Sequence, residues 1–387
     1  MGLLNNFMMS AVISVIILIS ALSVDDVLCQ IKIKAVGDVM PGSITPKKIL
    51  PPDNGKFFID SIGQYLSDAE IIFGNLEGSF ILDGMKADKC SDESREKGIC
   101  YEFGTPAEIA PVLKELGFTV MSRDNNHSED YGEEGFKFTS FLLDELGIQS
   151  AMKRNFAEIK IHHQKIALVA FGYSENSYNI SDLKTADSVI SILDKNYELI
   201  IVSFHGGAEG RRFQKVTGET EIFLGENRGN VSAFAKCVID AGADLVLGHG
   251  PHVLRGIELY KNKLIAYSLG NFLTYGNMNI RDENGISAIL EVRIDTSSGD
   301  FLRGKIIPVK QIGSGYPVYD VNLSSISMIK KLSNEDFPDS NLEFLLSGSF
   351  YSNDIAASPL PFQFPEPRKF IMREVTYKTL NELNTDK

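Results

Sequence analysis

The order of apolar and polar positions divides the chain into short continuous apolar runs separated by stretches of helical period. The runs fall at residues 31–36, 70–74, 118–122, 165–171, 198–204, 244–248 and 264–268, most of them bounded by turn residues. Runs of this kind predict strands buried on both faces. Among the helical stretches, residues 105–117 open on Thr105-Pro106-Ala107-Glu108 and stop at Gly117. That opening reads as a capping box with proline in the first turn. Residues 133–146 and 228–241 predict two more helices, ended by Gly147 and Gly242. Such alternation predicts an α/β layered fold with a largely parallel sheet. After residue 285 the pattern changes, and residues 286–294 and 301–309 flank the turn Thr296-Ser297-Ser298-Gly299 as a predicted β-hairpin. Beyond residue 337 the signal thins. Pro359, Pro361, Pro365 and Pro367 crowd a segment rich in Phe and Ser, which predicts an irregular tail wrapping the domain.

Composition alters this picture only at the edges. The 387 residues, 43% hydrophobic and 23% charged, suffice for one large core. A formal net charge of −13, with no basic face in the sequence, argues against a nucleic-acid partner. It leaves room for an acidic substrate, because bound cations reverse the local field. No charged side chain occurs from Met1 to Val24, and the nearly all-apolar residues 7–22 lead into Ala21-Leu22-Ser23. This predicts export, with residues 1–29 a cleaved signal peptide or an uncleaved membrane anchor. Residues 30–337 then form the main domain and 338–387 an extension. Export permits disulfides: Cys90 and Cys100 bracket a polar loop and read as a local staple, or else as two free thiols. Cys237, beside Val238 on a predicted helix face, reads as a buried thiol.

The chemistry gathers where strands end. Asp38, Glu77, the pair Asn126 and His127, His205, and the pair His249 and His252 follow five of the predicted strands, several beside a glycine that lets the backbone turn. Loops beyond the carboxyl ends of an α/β sheet converge, so these side chains are expected to meet. Four of the six histidines lie in these loops, whereas His162 and His163 sit in a predicted turn and read as solvated. Each residue alone is a weak signal. Together, an Asp/Glu/Asn/His set suits borderline divalent ions such as Mn, Fe or Zn. Arg123 precedes the Asn-His loop and is a candidate for gripping a carboxylate or phosphate. Glu209 with Arg211 and Arg212 reads as an anion site or as a solvated charged loop, and Asn271 as a hydrogen-bond partner behind the histidines.

From Val36 to Asn271 the motifs resemble the CapA family of capsule and poly-γ-glutamate biosynthesis proteins. They are Gly37-Asp38-Val39-Met40, Asn75-Leu76-Glu77-Gly78, Asn125-Asn126-His127 with Asp130-Tyr131-Gly132, His205-Gly206-Gly207 with Glu209, Gly248-His249-Gly250-Pro251-His252, and Tyr267-Ser268-Leu269-Gly270-Asn271. That family is similar in turn to calcineurin-like metallophosphoesterases, which implies a four-layer α/β/β/α sandwich and two metal ions. The resemblance makes Asp38 a ligand of one ion and puts Glu77 in the place of the bridging carboxylate, with Asn75 ligating or supporting it. Asn126 and His205 would hold the second ion, and His249 and His252 would divide between the two. His127 would stay off the metals as a general acid or electrostatic stabiliser, oriented by Asp130. One departure stands out: Met40 occupies the position where such phosphoesterases place a histidine ligand, and a thioether binds these ions poorly.

Three functions fit this reading. The first is an exported metal-dependent enzyme acting on an anionic cell-surface polymer such as poly-γ-glutamate. The second is a strict phosphoesterase, against which Met40 speaks. The third is a non-catalytic partner of membrane capsule-synthesis proteins. Fold alone does not choose among them.

Overall fold

The computed structural model of the protein describes residues 30–353, apart from 99, 153, 162 and 175. The apolar runs form strands. Gln30–Met40 (β1), Ile71–Leu76 (β2), Val120–Ser122 (β3) and Gln149–Ala151 (β4) lie side by side and parallel. The chain then builds a second sheet from Phe156–Ile161 (β5), Gln164–Phe171 (β6), Leu199–His205 (β7), Leu245–His249 (β8), Ile257–Tyr260 (β9) and Lys263–Ala266 (β10). Its order is β9-β10-β8-β7-β6-β5, with a parallel centre and antiparallel edges at β9 and β5. Returning to the first sheet, Asn271–Thr274 (β11) pairs with the end of β1. Ile286–Asp295 (β12) and Phe301–Ile312 (β13) form the expected hairpin, antiparallel to β1. The single, largely parallel sheet of the sequence reading is therefore two mixed sheets. An apolar run buried on both faces does not reveal which sheet it joins.

Strand alternation explains the double burial. On β7, Leu199 and Ile201 face the space between the sheets, whereas Ile200, Val202 and Phe204 face outward. Three apolar layers result. Ile33, Phe73 and Leu290 of one sheet meet Leu168, Ile201 and Leu247 of the other in the middle. Outside the first sheet, Ile72 and Met121 pack with Leu113 of Pro111–Glu115 (α1) and Leu143 of Gly132–Glu145 (α2). Outside the second, Val169 and Val202 pack with Ile190 of Leu183–Leu193 (α3) and Phe234 of Val231–Asp240 (α4). This is the four-layer α/β/β/α sandwich that the resemblance implied.

Two expectations about elements fail, and one stretch of thin signal carries more regular structure than its sequence implied. The capping box does not cap: Gly104–Pro106 pairs in parallel with Ser79–Ile81, and Thr105 donates its hydroxyl to the Gly42 carbonyl at 2.5 Å. A buried carbonyl at the end of β1 has captured the side chain that a helix start would use. The helix expected from residue 228 starts at Val231, because Asn230 accepts from the Ala233 amide at 2.9 Å and caps it there. Arg228 is thereby left in the loop. Past residue 337 the chain is not irregular throughout, since after Ser324–Asp336 (α5) the strands Leu342–Phe344 (β14) and Ser349–Ser352 (β15) extend the first sheet through β13. Phe344 and Phe350 are buried there. Cys237 is half-buried rather than buried, its thiol 3.5 Å from the Leu183 carbonyl. Residues 1–29, the expected export segment, His162 and the proline-rich tail all lie outside the described residues. Among the described residues no helix is long and apolar enough to cross a membrane.

Candidate metal centre

The carboxyl ends of β1, β2 and β3 in one sheet and of β7 and β8 in the other open onto the same place. Asp38 lies in β1 where its register with β2 and β11 shifts, which turns the fully buried carboxylate into the centre. The approach of β1 to the loop before β11 demands a glycine: a Cβ on Gly37 would lie 1.8 Å from the Gly270 carbonyl oxygen. Gly250, at φ 112°, makes the turn that carries the chain from His249 to His252. His252 itself holds φ 57°, a conformation rare outside glycine and worth noting beside a functional group.

Asp38, Glu77 and His252 present ligand atoms that all lie within 4.8 Å of one another. His252 Nδ1 is 2.9 Å from Asp38 Oδ2, and its Nε2 is 3.6 Å from Glu77 Oε1. His249 Nδ1 lies 3.5 Å from Asp38 Oδ1. Asn75 steadies both carboxylates, donating to Asp38 Oδ1 at 2.9 Å and to Glu77 Oε2 at 3.4 Å. Asn125, which the sequence reading passed over in favour of its neighbour, fixes Asn75 through a 2.9 Å bond and also donates to the Leu76 carbonyl. Asn271 stands behind His252, 3.2 Å from its Nδ1.

Electrostatics divide these groups. Burial would raise Asp38, but the nearby His249 imidazole and the hydrogen bond and charge of His252 hold it well below the usual carboxylate range. Burial and the Asp38 charge push Glu77 well up. Burial would depress His252, yet Glu77 and Asp38 outweigh it and carry this histidine up to about 10. His205 is driven well down by burial, with the His252, Arg228 and His249 charges adding to it against Asp38. Without a cation, Glu77 and His252 therefore both hold protons more tightly than free groups do, beside the ionised Asp38.

Several buried polar atoms have no hydrogen-bond partner: Glu77 Oε1, Asn126 Oδ1, and both ring nitrogens of His205 and of His249. Leaving such an atom dry costs on the order of 1–3 kcal/mol. Bare oxygen and imidazole atoms are of the class that holds a divalent cation, and Asp38, Glu77 and His252 are the three whose ligand atoms gather within 4.8 Å. Met40 is fully buried in β1 and offers no ligand of that class.

His127 forms a separate arrangement beside the cluster. Its Nδ1 is 2.7 Å from Asp130 Oδ2, the Phe103 amide donates to that same oxygen, and the Phe103 ring lies 4.4 Å from the imidazole. Lys89 reaches in from the other side, 2.9 Å from Asp130 Oδ1 and 2.7 Å from the Asn126 carbonyl. The residue after Lys89 is Cys90, joined by a disulfide to Cys100 across 5.9 Å between Cα atoms. A cavity of about 630 Å³ opens over His127, His252, Asn271 and Glu209.

Arg123 does not face this cavity. It is fully buried, donating to the Ser140 hydroxyl and the Phe136 carbonyl of α2 and stacking 4.4 Å from the Phe136 ring. It pins α2 to β3. The cation near the centre is Arg228, paired with Glu209 at 3.0 Å. Sequence reading placed Arg228 inside a helix and so missed it. Arg211 and Arg212 are exposed, Arg211 lying 3.9 Å from Asp282.

Residues 32–275 match the model of the family described as bacterial capsule synthesis protein PGA_cap. The chain belongs to that family. Its capsule-synthesis relatives include the capsule biosynthesis protein CapA of Bacillus anthracis, 29% identical over 62% of this chain and 58% of that protein. The PGA biosynthesis protein CapA of Bacillus subtilis is 30% identical over 64% of each chain. The chain thus spans about three fifths of the length of these relatives. A crystal structure of a phosphatase from Mycoplasma pneumoniae aligns with 76% of this chain and 96% of its own, at 13% identity and a TM-score of 0.44. The family match contains every strand end that contributes to the centre, from Asp38 to Asn271.

Proposed function

We propose that the protein is an exported, metal-dependent enzyme of the capsule pathway that acts on an anionic cell-surface polymer of the poly-γ-glutamate kind, by hydrolysis or transfer. The observation that carries this is the set of buried, unpartnered oxygen and imidazole atoms around the Asp38–Glu77–His252 cluster, whose His252 lines the same cavity as His127. Asp38, Glu77, His249 and His252 would hold one divalent ion, and Asn126 and His205 with a share of Glu77 and the histidines the other. Mn, Fe and Zn all suit these donors. Two such ions supply Lewis-acid stabilisation of developing negative charge and lower the pKa of water.

The protein's own groups move the proton. Asp130 only accepts and lies 2.7 Å from Nδ1, against 3.3 Å for the Lys89 ammonium, so the Nδ1 proton of His127 points to it and the Nε2 lone pair is left for the substrate. Burial holds His127 below its ordinary value, with Lys89 adding to this against Asp130, so the resting imidazole is neutral. His127 therefore takes a proton at Nε2 from the attacking water or acceptor group and then donates it to the departing atom. Strict phosphoesterase activity is disfavoured by Met40. Action outside the cell is supported by the Cys90–Cys100 disulfide, which belongs to an oxidising compartment.

Turnover of poly-γ-glutamate, measured beside a generic phosphodiester, tests the reading. The metal-loaded protein is expected to act on the polymer, and His127→Ala to lower that rate by about 10²-fold or more with metal content unchanged. Full activity in His127→Ala would refute its role. Bound metal with neither substrate consumed would favour the third function, a non-catalytic partner of membrane capsule-synthesis proteins.

A further inference from the structure

Arg228 is only 3% exposed, although it lies in a loop between two short strands and α4. One edge of its guanidinium is fully engaged: Nε donates to Glu226 at 3.0 Å, and Nη2 lies 2.8 Å from Glu226 and 3.0 Å from Glu209. Its other nitrogen, Nη1, is buried without a hydrogen-bond partner. The guanidinium carbon stacks 4.2 Å from the ring of Tyr173, and that ring lies 6.0 Å from His205. The Tyr173 hydroxyl is likewise buried and unpartnered. Two donors with nothing to donate to therefore stand together on the His205 side of the centre. Tyr173 also lines a second cavity of about 610 Å³, shared with Asn126 and Lys89 and distinct from the one over His127.

We infer that Arg228 Nη1 and Tyr173 Oη form a receptor for a substrate oxyanion, a carboxylate or phosphoryl oxygen, placed beside the Asn126–His205 half of the centre. This rests on the metal-centre reading above. The carboxylates of Glu209 and Glu226 hold the fork in one orientation. Both carboxylates engage the opposite edge, and Glu226, its side chain 55% exposed, is partly screened by solvent, whereas Glu209 is 26% exposed. A guanidinium fixed along one edge gives directed donation from the other, which a lysine cannot reproduce. The Tyr173 hydroxyl stays protonated, since burial raises it far above its ordinary value. Glycine-rich backbone lets Arg228 sit this close: its own carbonyl accepts from the Gly207 amide at 2.8 Å, two residues past His205.

The test is titration of the metal-loaded protein with inorganic phosphate and, separately, with glutarate, in wild type, Arg228→Gln, Arg228→Lys and Tyr173→Phe. Metal content and thermal midpoint are measured on the same samples. Wild type is expected to bind at least one of the two anions. Arg228→Gln should weaken that binding by about tenfold or more with metal retained, Arg228→Lys should rescue it only in part, and Tyr173→Phe should weaken it less. The anion that responds identifies the oxygen class. Metal-loaded wild type that binds neither anion, or Arg228→Gln that melts lower yet binds as tightly as wild type, would overturn the inference. Wild type that takes up no metal would instead overturn the underlying centre. Should Arg228→Gln fail to fold, Tyr173→Phe carries the decision, and unchanged affinity in it would likewise overturn the inference.

Discussion

His252 sits between the two carboxylates of the centre. Held between Asp38 and Glu77, it is carried up to about 10, while Glu77 is itself raised well above the usual carboxylate range. Both groups bind their protons more tightly folded than unfolded. In the metal-free protein their contribution is greatest at low pH and is lost as pH rises toward about 10. Above neutral pH, where Asp38 and His205 no longer titrate, thermal unfolding of the metal-free protein should therefore show stability falling between pH 7 and 9. Metal binding needs these protons gone, so affinity should climb by about tenfold per pH unit for each proton released. Titration calorimetry in two buffers of different ionisation enthalpy counts those protons; none released at neutral pH would contradict this account of His252. At this scale the sequence was partly legible. Histidines and carboxylates at strand ends announce themselves, because few structural roles place so many there. Asn125, Arg123 and Arg228 did not. One amide in an Asn-Asn pair looks like its neighbour, and an arginine's direction depends on packing that no local pattern encodes.

Among the elements, the meeting of β1 with the loop before β11 decides whether the centre can close. A Cβ at Gly37 would meet the Gly270 carbonyl at 1.8 Å, and the Asp38 amide donates to that same carbonyl at 2.9 Å. Gly37→Ala should therefore destabilise the fold by about 3 kcal/mol or more, since rigid backbone on both sides must move. Chemical denaturation measures this directly, and a loss below about 1 kcal/mol would show that the strands separate easily. The strand runs, the hairpin of β12 and β13 and the helix α2 were all legible because each has a clear period and a clear stop. The failed capping box and the shifted start of α4 share another cause. In each case a side chain found a different partner, Gly42 for Thr105 and the Ala233 amide for Asn230. The short strands β14 and β15 pair with each other, and only β15 joins the rest of the sheet, through β13, a contact remote in sequence that leaves no local mark.

Across the whole molecule, the proposed centre would depend on two sheets that open their carboxyl ends onto the same place. The first supplies Asp38, Glu77 and Asn126, and the second His205, His249 and His252. Chain order made the convergence legible, whereas the partition between sheets was hidden, since strands of either sheet are apolar on both faces. Neither sheet alone completes the donor set, so metal binding should depend on the intact sandwich. A net charge of −13 adds weight to the cations, because without them this protein would repel an anionic polymer. The most direct measurement is the divalent metal content of purified wild type beside His249→Ala and His252→Ala, each confirmed folded by its thermal transition. The expected result is about two ions in wild type, with fewer or more weakly held ions in both variants. Folded wild type that retains no metal after incubation with Mn, Fe or Zn would contradict the central claim.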